Sequence, residues 1–163
     1  MRITCIIQII FLSFILLVAN RAVAAPLLTQ KDVKGLENKF QEPGTSETDS
    51  LKLNVQVSVS LTVTGYFSIT SKGNGELKVP GANIRLYDSH DDGVVFDGFL
   101  LNNELVDVDG DEFKDIVLWG TSILYDDNDD KEISRRPVLS IFRFEPKTNK
   151  FINTVPSQDV YVY

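Results

Sequence analysis

Cysteine is almost missing from this chain. The single one, Cys5, lies near the start and inside an apolar run. A disulfide framework, a thiolate metal site and a cysteine nucleophile are therefore excluded from the rest of the sequence. Histidine is as scarce. His90 stands alone, which rules out a histidine-rich metal site, and no nucleophile elbow accompanies it to support a Ser-His-Asp triad. Positive charge is short too: 16 Lys and Arg face 23 Asp and Glu, for a formal charge of −7. That balance argues against nucleic acid or an anionic lipid surface as partner, since both would repel it. It suits a cation ligand or a basic protein partner, or it serves solubility alone. No 20–50-residue repeat recurs often enough for a solenoid or a closed propeller.

What is present begins with an export signal. Arg2 supplies a positive start, and Ile3 to Val18 form an apolar run broken only by short polar residues. Ala22-Val23-Ala24 then gives the small-x-small pattern that signal peptidase accepts. A spanning helix needs about 20 apolar residues, and Gln8 and Ser13 interrupt this run while Arg21 follows it closely. The expectation is a signal over 1–24, cleavage before Ala25, and a secreted or periplasmic protein with no membrane insertion afterwards. Cys5 lies too near the start to be a lipoprotein cysteine. The expected mature chain keeps 139 residues, one domain's worth, and a charge of −9 once Arg2 and Arg21 are gone. Without disulfides, such a domain must rely on its core or on a metal.

Residues 25–50 read as a short helix and a linker. Thr29 with Asp32 resembles a capping pair, and Val33, Leu36 and Phe40 share one face of a helix over 29–40. Pro43 to Ser50 is a linker by composition. From Leu51 to Val63 every odd position is apolar and every even one polar, the period of a strand with one buried face. The parity continues to Phe67 and Ile69, which predicts one long strand bent at Gly65. Turns follow at 71–75 and at Pro80-Gly81. Further strands are expected at 84–87, 94–101, 104–108, 115–124, 138–144, 151–155 and 159–163, with a hairpin connection at 146–150. The fold class expected for 51–163 is all-β: a small antiparallel sandwich or partial barrel, propeller-blade-like.

One stretch carries chemistry. In Asp107-Val108-Asp109-Gly110-Asp111-Glu112-Phe113-Lys114-Asp115, carboxylates fall at positions 1, 3, 5 and 9, between apolar residues that lead in and out as strands. A hard cation such as Ca²⁺ takes six to eight oxygens at about 2.3–2.6 Å. Alternate residues of a curled loop point inward, and the Phe113 carbonyl can add another oxygen. Four carboxylates this close repel one another without a cation. The loop is not an EF-hand, because position 12 is Leu118 and no helical pattern flanks it.

The stretch resembles the calcium loop of FG-GAP and VCBS-type repeats, Asp-x-Asp-x-Asp-Gly-x-x-Asp followed by an apolar strand. The resemblance implies Asp107, Asp109, Asp111 and Asp115 as side-chain ligands, Phe113 as a carbonyl donor, and calcium as the ion. Gly110 matches the glycine frequent at position 4. Position 6 departs: the family has glycine at a positive-φ turn, and this chain has Glu112, at a cost on the order of 1 kcal/mol. The chain looks like small exported proteins that carry a single such loop, some of which inhibit lysozymes.

Weaker candidates accompany it. Asp126, Asn128, Asp130 and Glu132 alternate as a second cation site would, or form a solvated hairpin tip; Asp88 to Gly93 reads as a loop. Ser134-Arg135-Arg136-Pro137 is a basic island that reads as a surface loop, and Trp119 is either a recognition aromatic or a core residue, the latter favoured. The function expected is a non-enzymatic, calcium-binding module for a protein or glycan partner, with a basic cell-wall hydrolase such as lysozyme fitting the charge. The alternatives are a secreted hydrolase using a carboxylate pair such as Asp91 and Asp126, and a purely structural calcium-stabilised surface component.

Overall fold

The odd-numbered apolar run folds back on itself. Strand β1, Ser50–Gln56, reverses into β2, Thr62–Ile69, and the two pair antiparallel with Leu51 opposite Phe67, Leu53 opposite Gly65 and Val55 opposite Val63. Odd pairs with odd, so the apolar residues of both arms keep one face and the parity runs unbroken through the turn. The reversal is built by Ser58, whose Oγ accepts from Leu61 N at 3.1 Å, and by Val57 N donating to Leu61 O at 3.0 Å. The single strand bent at Gly65 is thus corrected to a hairpin. Gly65 instead lets β2 lie close to the segment that carries Val79, since a Cβ there would stand 3.3 Å from Val79 Cγ1.

The computed structural model describes residues 26–40, 50–70, 73–87, 94–126, 129 and 131–160. The expected signal, most of the linker, His90 and Asp91 lie outside the described residues. Helix α1 is Gln30–Phe40. Thr29 N and Oγ1 both donate to Asp32 Oδ2, at 2.8 and 2.6 Å, and Asp32 N approaches Thr29 Oγ1 at 3.4 Å, which is the expected capping pair. Val33 and Leu36 are buried as the helical spacing requires; the Phe40 side chain lies outside the described residues.

The remaining strands are β3 (Gly75–Val79), β4 (Ala82–Tyr87), β5 (Val94–Phe96), β6 (Asn102–Val106), β7 (Asp115–Tyr125), β8 (Glu132–Glu145) and β9 (Lys150–Val155). One sheet runs β1-β2-β3-β4. The other runs β5-β7-β8-β9, with β6 also paired to β7, and all pairings are antiparallel. The protein is an all-β sandwich with a short N-terminal helix. Phe67, Leu77, Ile84 and Leu86 from the first sheet and Ile116, Leu118, Phe142, Phe144 and Phe151 from the second form a single core.

Several boundaries differ from the sequence pattern. Strand β3 was not anticipated, being too short between its turns to show a period. The strand expected over 94–101 stops at Phe96, where Phe99 N donates to Phe96 O at 2.9 Å across a turn with Gly98 at φ 84°. Residues 159–160 form a turn rather than a strand, and 161–163 lie outside the described residues. Strand β8 starts six residues early, so Ser134 to Pro137 are strand, not loop. Arg135 pairs there with Glu132 and Asp97, and Arg136 Nε donates to Asp159 Oδ2 at 2.7 Å. Arg85 of β4 reaches the Asp159 carbonyl at 3.3 Å, so this residue near the end of the chain touches a strand of each sheet.

Replacing a fully buried aromatic tests the core. Phe67→Ala should lower unfolding free energy by about 3–5 kcal/mol, read as a fall in urea midpoint with an unchanged slope.

Candidate metal centre

The acidic loop joins β6 to β7, and backbone amides shape it from within. Asp107 Oδ1 accepts from Gly110 N at 2.7 Å, and its Oδ2 from Glu112 N at 3.0 Å. Asp111 Oδ1 accepts from Phe113 N at 2.9 Å. The loop is tied to the β1–β2 turn by Lys114 N, which donates to Val57 O at 2.6 Å. Phe113 lies against Phe144, with ring centroids 5.8 Å apart, and so anchors the loop on the core. Two residues adopt left-handed backbone: Gly110 at φ 81° and Glu112 at φ 71°. The position at which the family pattern has glycine does require positive φ here, and Glu112 bears the strain.

Asp115, the first residue of β7, is 1% exposed. Its Oδ2 accepts from Val108 N at 3.1 Å and its Oδ1 from Phe144 N at 2.8 Å. Burial pushes its carboxyl above the usual range, and the charges of Asp109 and Asp111 add to that, against the two amides that lower it. Asp107 goes the other way. Desolvation pushes it up, but the amides of Gly110, Glu112, Asp111 and Asp109 together outweigh this and hold it below the ordinary carboxylate value.

Of the expected ligands, Asp107, Asp109 and Asp115 converge: each offers an oxygen, and these lie within 4.8 Å of one another. Every carboxylate oxygen that accepts one amide keeps a lone pair for a cation. Asp111 is outside this group, and its Oδ2 stands 3.9 Å from Arg143 Nη2. The same guanidinium pairs with Asp109 Oδ2. Sequence reasoning missed Arg143, because it reaches the loop from β8, 34 residues beyond Asp109. No protein-family model, curated protein or solved structure matches this chain.

The other candidates separate. Asp126 follows β7, whose eleven residues would span roughly 35 Å if fully extended, so the second acidic cluster and this loop lie at opposite ends of the same strand. Residues 127, 128 and 130 of that cluster lie outside the described ones, as does Asp91 of the expected hydrolase pair. Trp119 is 37% exposed on the outward face of β7, so the core role favoured for it gives way.

Two substitutions separate structural from ligand roles. Asp115→Asn should destabilise the protein by about 1–3 kcal/mol even in EDTA, because one of two buried amides would face an NH₂. Glu112→Gly should raise stability on the order of 1 kcal/mol by relieving the left-handed strain. Urea titrations read both.

Proposed function

We propose that this chain is an exported calcium-binding β-domain that acts as a non-enzymatic binding module, with a basic cell-wall hydrolase of the lysozyme kind as the partner its acidity suits. The observation that carries the metal reading is the convergence of three carboxylates within 4.8 Å in a loop that strains Glu112 into positive φ. Strain of this kind persists where the surroundings over-determine it, and it clusters at ligand clamps. The resemblance to FG-GAP and VCBS-type loops and the Ala22-Val23-Ala24 pattern support the same reading.

A bound calcium ion would supply the positive charge that these carboxylates need and accept their oxygens as a hard cation. The rest is the work of the chain. Backbone amides hold Asp107 and Asp115 in place beforehand, so little side-chain freedom is lost on binding. Arg143 offsets part of the loop's negative charge and competes for Asp109. Its removal should strengthen calcium binding.

Thermal melts across a calcium series test this. A ligand of the folded state adds roughly 2.7 kcal/mol at a hundredfold excess over Kd, which raises the midpoint of a domain this size by several degrees. Millimolar calcium should give that shift and EDTA should reverse it. Asp109→Ala should abolish the response, and Arg143→Gln should move it to lower calcium. Midpoints indifferent to calcium in every variant would remove the metal reading. The N-terminus of the exported protein should be Ala25; Met1 on a membrane-bound form would remove the export reading.

A further inference from the structure

Two hollows of about 310 Å³ each adjoin beside α1, sharing Gln30 and Leu100 in their walls. Each hollow has an exposed aromatic residue in its wall, Phe99 in one and Trp119 in the other. Phe99 is 58% exposed and held at φ 68°, a conformation that costs a bulky residue energy. Trp119 stands 37% exposed on β7. From Phe99 to Asn102, the cross-strand partner of Trp119, is three residues, at most about 11 Å of chain. An apolar ring in solvent and left-handed strain at the same residue are both unfavourable, and neither serves the core.

Planar polar groups share the walls with the two aromatic residues, and some are already fixed. Tyr87 OH donates to Glu37 Oε1 at 2.6 Å, and Asn102 Nδ2 donates to Trp119 O at 3.3 Å. The Glu37 carboxylate, which accepts one of these bonds, and the amide oxygen of Asn102, which donates the other, both keep lone pairs for hydroxyl donors. Glu104 adds another carboxylate beside Trp119. Rings for stacking, with orienting carboxylates and amides in the same walls, match a ligand whose faces are apolar and whose edges carry hydroxyls.

Other occupants fit less well. Glu37 and Glu104 outnumber Lys34 in these walls, which disfavours polyanions such as nucleic acid and acidic glycans. An extended peptide would dock by pairing with the free edge of β6, but Asn103 of β6 already holds the segment before α1. Its side chain accepts from Leu28 N at 2.8 Å and donates to Leu28 O at 3.0 Å, as a neighbouring strand would.

We infer that this groove binds a neutral oligosaccharide, a few linked rings long, stacked between Phe99 and Trp119. The inference builds on the reading of the chain as a binding module but uses no residue of the acidic loop. The test is isothermal titration of the full chain, in EDTA, against cellohexaose, chitohexaose, xylohexaose and laminarihexaose. Trp119 is the single tryptophan, so its emission reports on the groove directly. At least one hexaose should bind saturably and shift that emission to the blue. Phe99→Ala and Trp119→Ala should each weaken binding tenfold or more, as truncating a central aromatic anchor does. Ile133→Ala, exposed far along β8, should change nothing. Should Trp119→Ala fail to fold, Glu104→Gln takes its place with the same expected loss. Absence of binding to all four sugars at millimolar concentration would overturn the inference, as would binding undiminished by the groove variants. An emission shift with unstructured hexapeptides and not with sugars would also overturn it. Cleavage of a bound hexaose would leave the groove standing and overturn the non-enzymatic reading.

Discussion

A carboxylate as buried as Asp115 has to be answered by donors, and the two that answer it belong to different parts of the chain. Val108 N comes from the start of the acidic loop, and Phe144 N from β8. One side chain therefore joins β7, β8 and the loop before it. The loop's curl, the approach of Asp109 to Asp107 and the seating of Phe113 on Phe144 all depend on that junction. The same burial that raises the Asp115 carboxyl makes nearby positive charge valuable, and Arg143 from the neighbouring strand brings some.

Much of the fold was legible because the physics involved is local. The capping pair at Thr29 and Asp32, the period-2 run from Leu51 and the aromatic-flanked turn at Pro146 to Asn149 each need only adjacent residues. What escaped is non-local or symmetric. A turn that pairs odd residues with odd leaves no mark in a period-2 pattern, so the β1–β2 reversal was hidden, although Ser58-Val59-Ser60 carries the small polar residues that build it. The early start of β8 was masked by Arg135, Arg136 and Pro137, whose exposure beyond the reach of β9 lets polar residues stand where alternation is expected.

The candidate site divides along the same line. The carboxylate spacing joined Asp107, Asp109, Asp111 and Asp115; three of them converge and Asp111 lies outside that group, while Glu112 takes the positive φ expected of it. The spacing could not reveal Arg143, because a cross-strand contact has no signature in it. Trp119 was misjudged for a related reason. On a strand with one buried face its side is set by parity with Leu118 and Ile116, both buried, and that parity outweighs the general tendency of tryptophan to lie inside.

Asp159 has a consequence for how the molecule is completed. Its carboxylate meets Arg136 and its carbonyl meets Arg85, one from each sheet. It lies after the last strand of the described residues, so the clasp joins the two layers from outside both sheets. Strand β9 pairs only with Ile141 to Glu145, which leaves the earlier half of β8 with one edge unpaired by any described strand. Pro137 has no amide hydrogen to offer a passing strand, and Arg135 and Arg136 carry charge along the same edge. The chain therefore protects by composition an edge that its described strands leave unpaired.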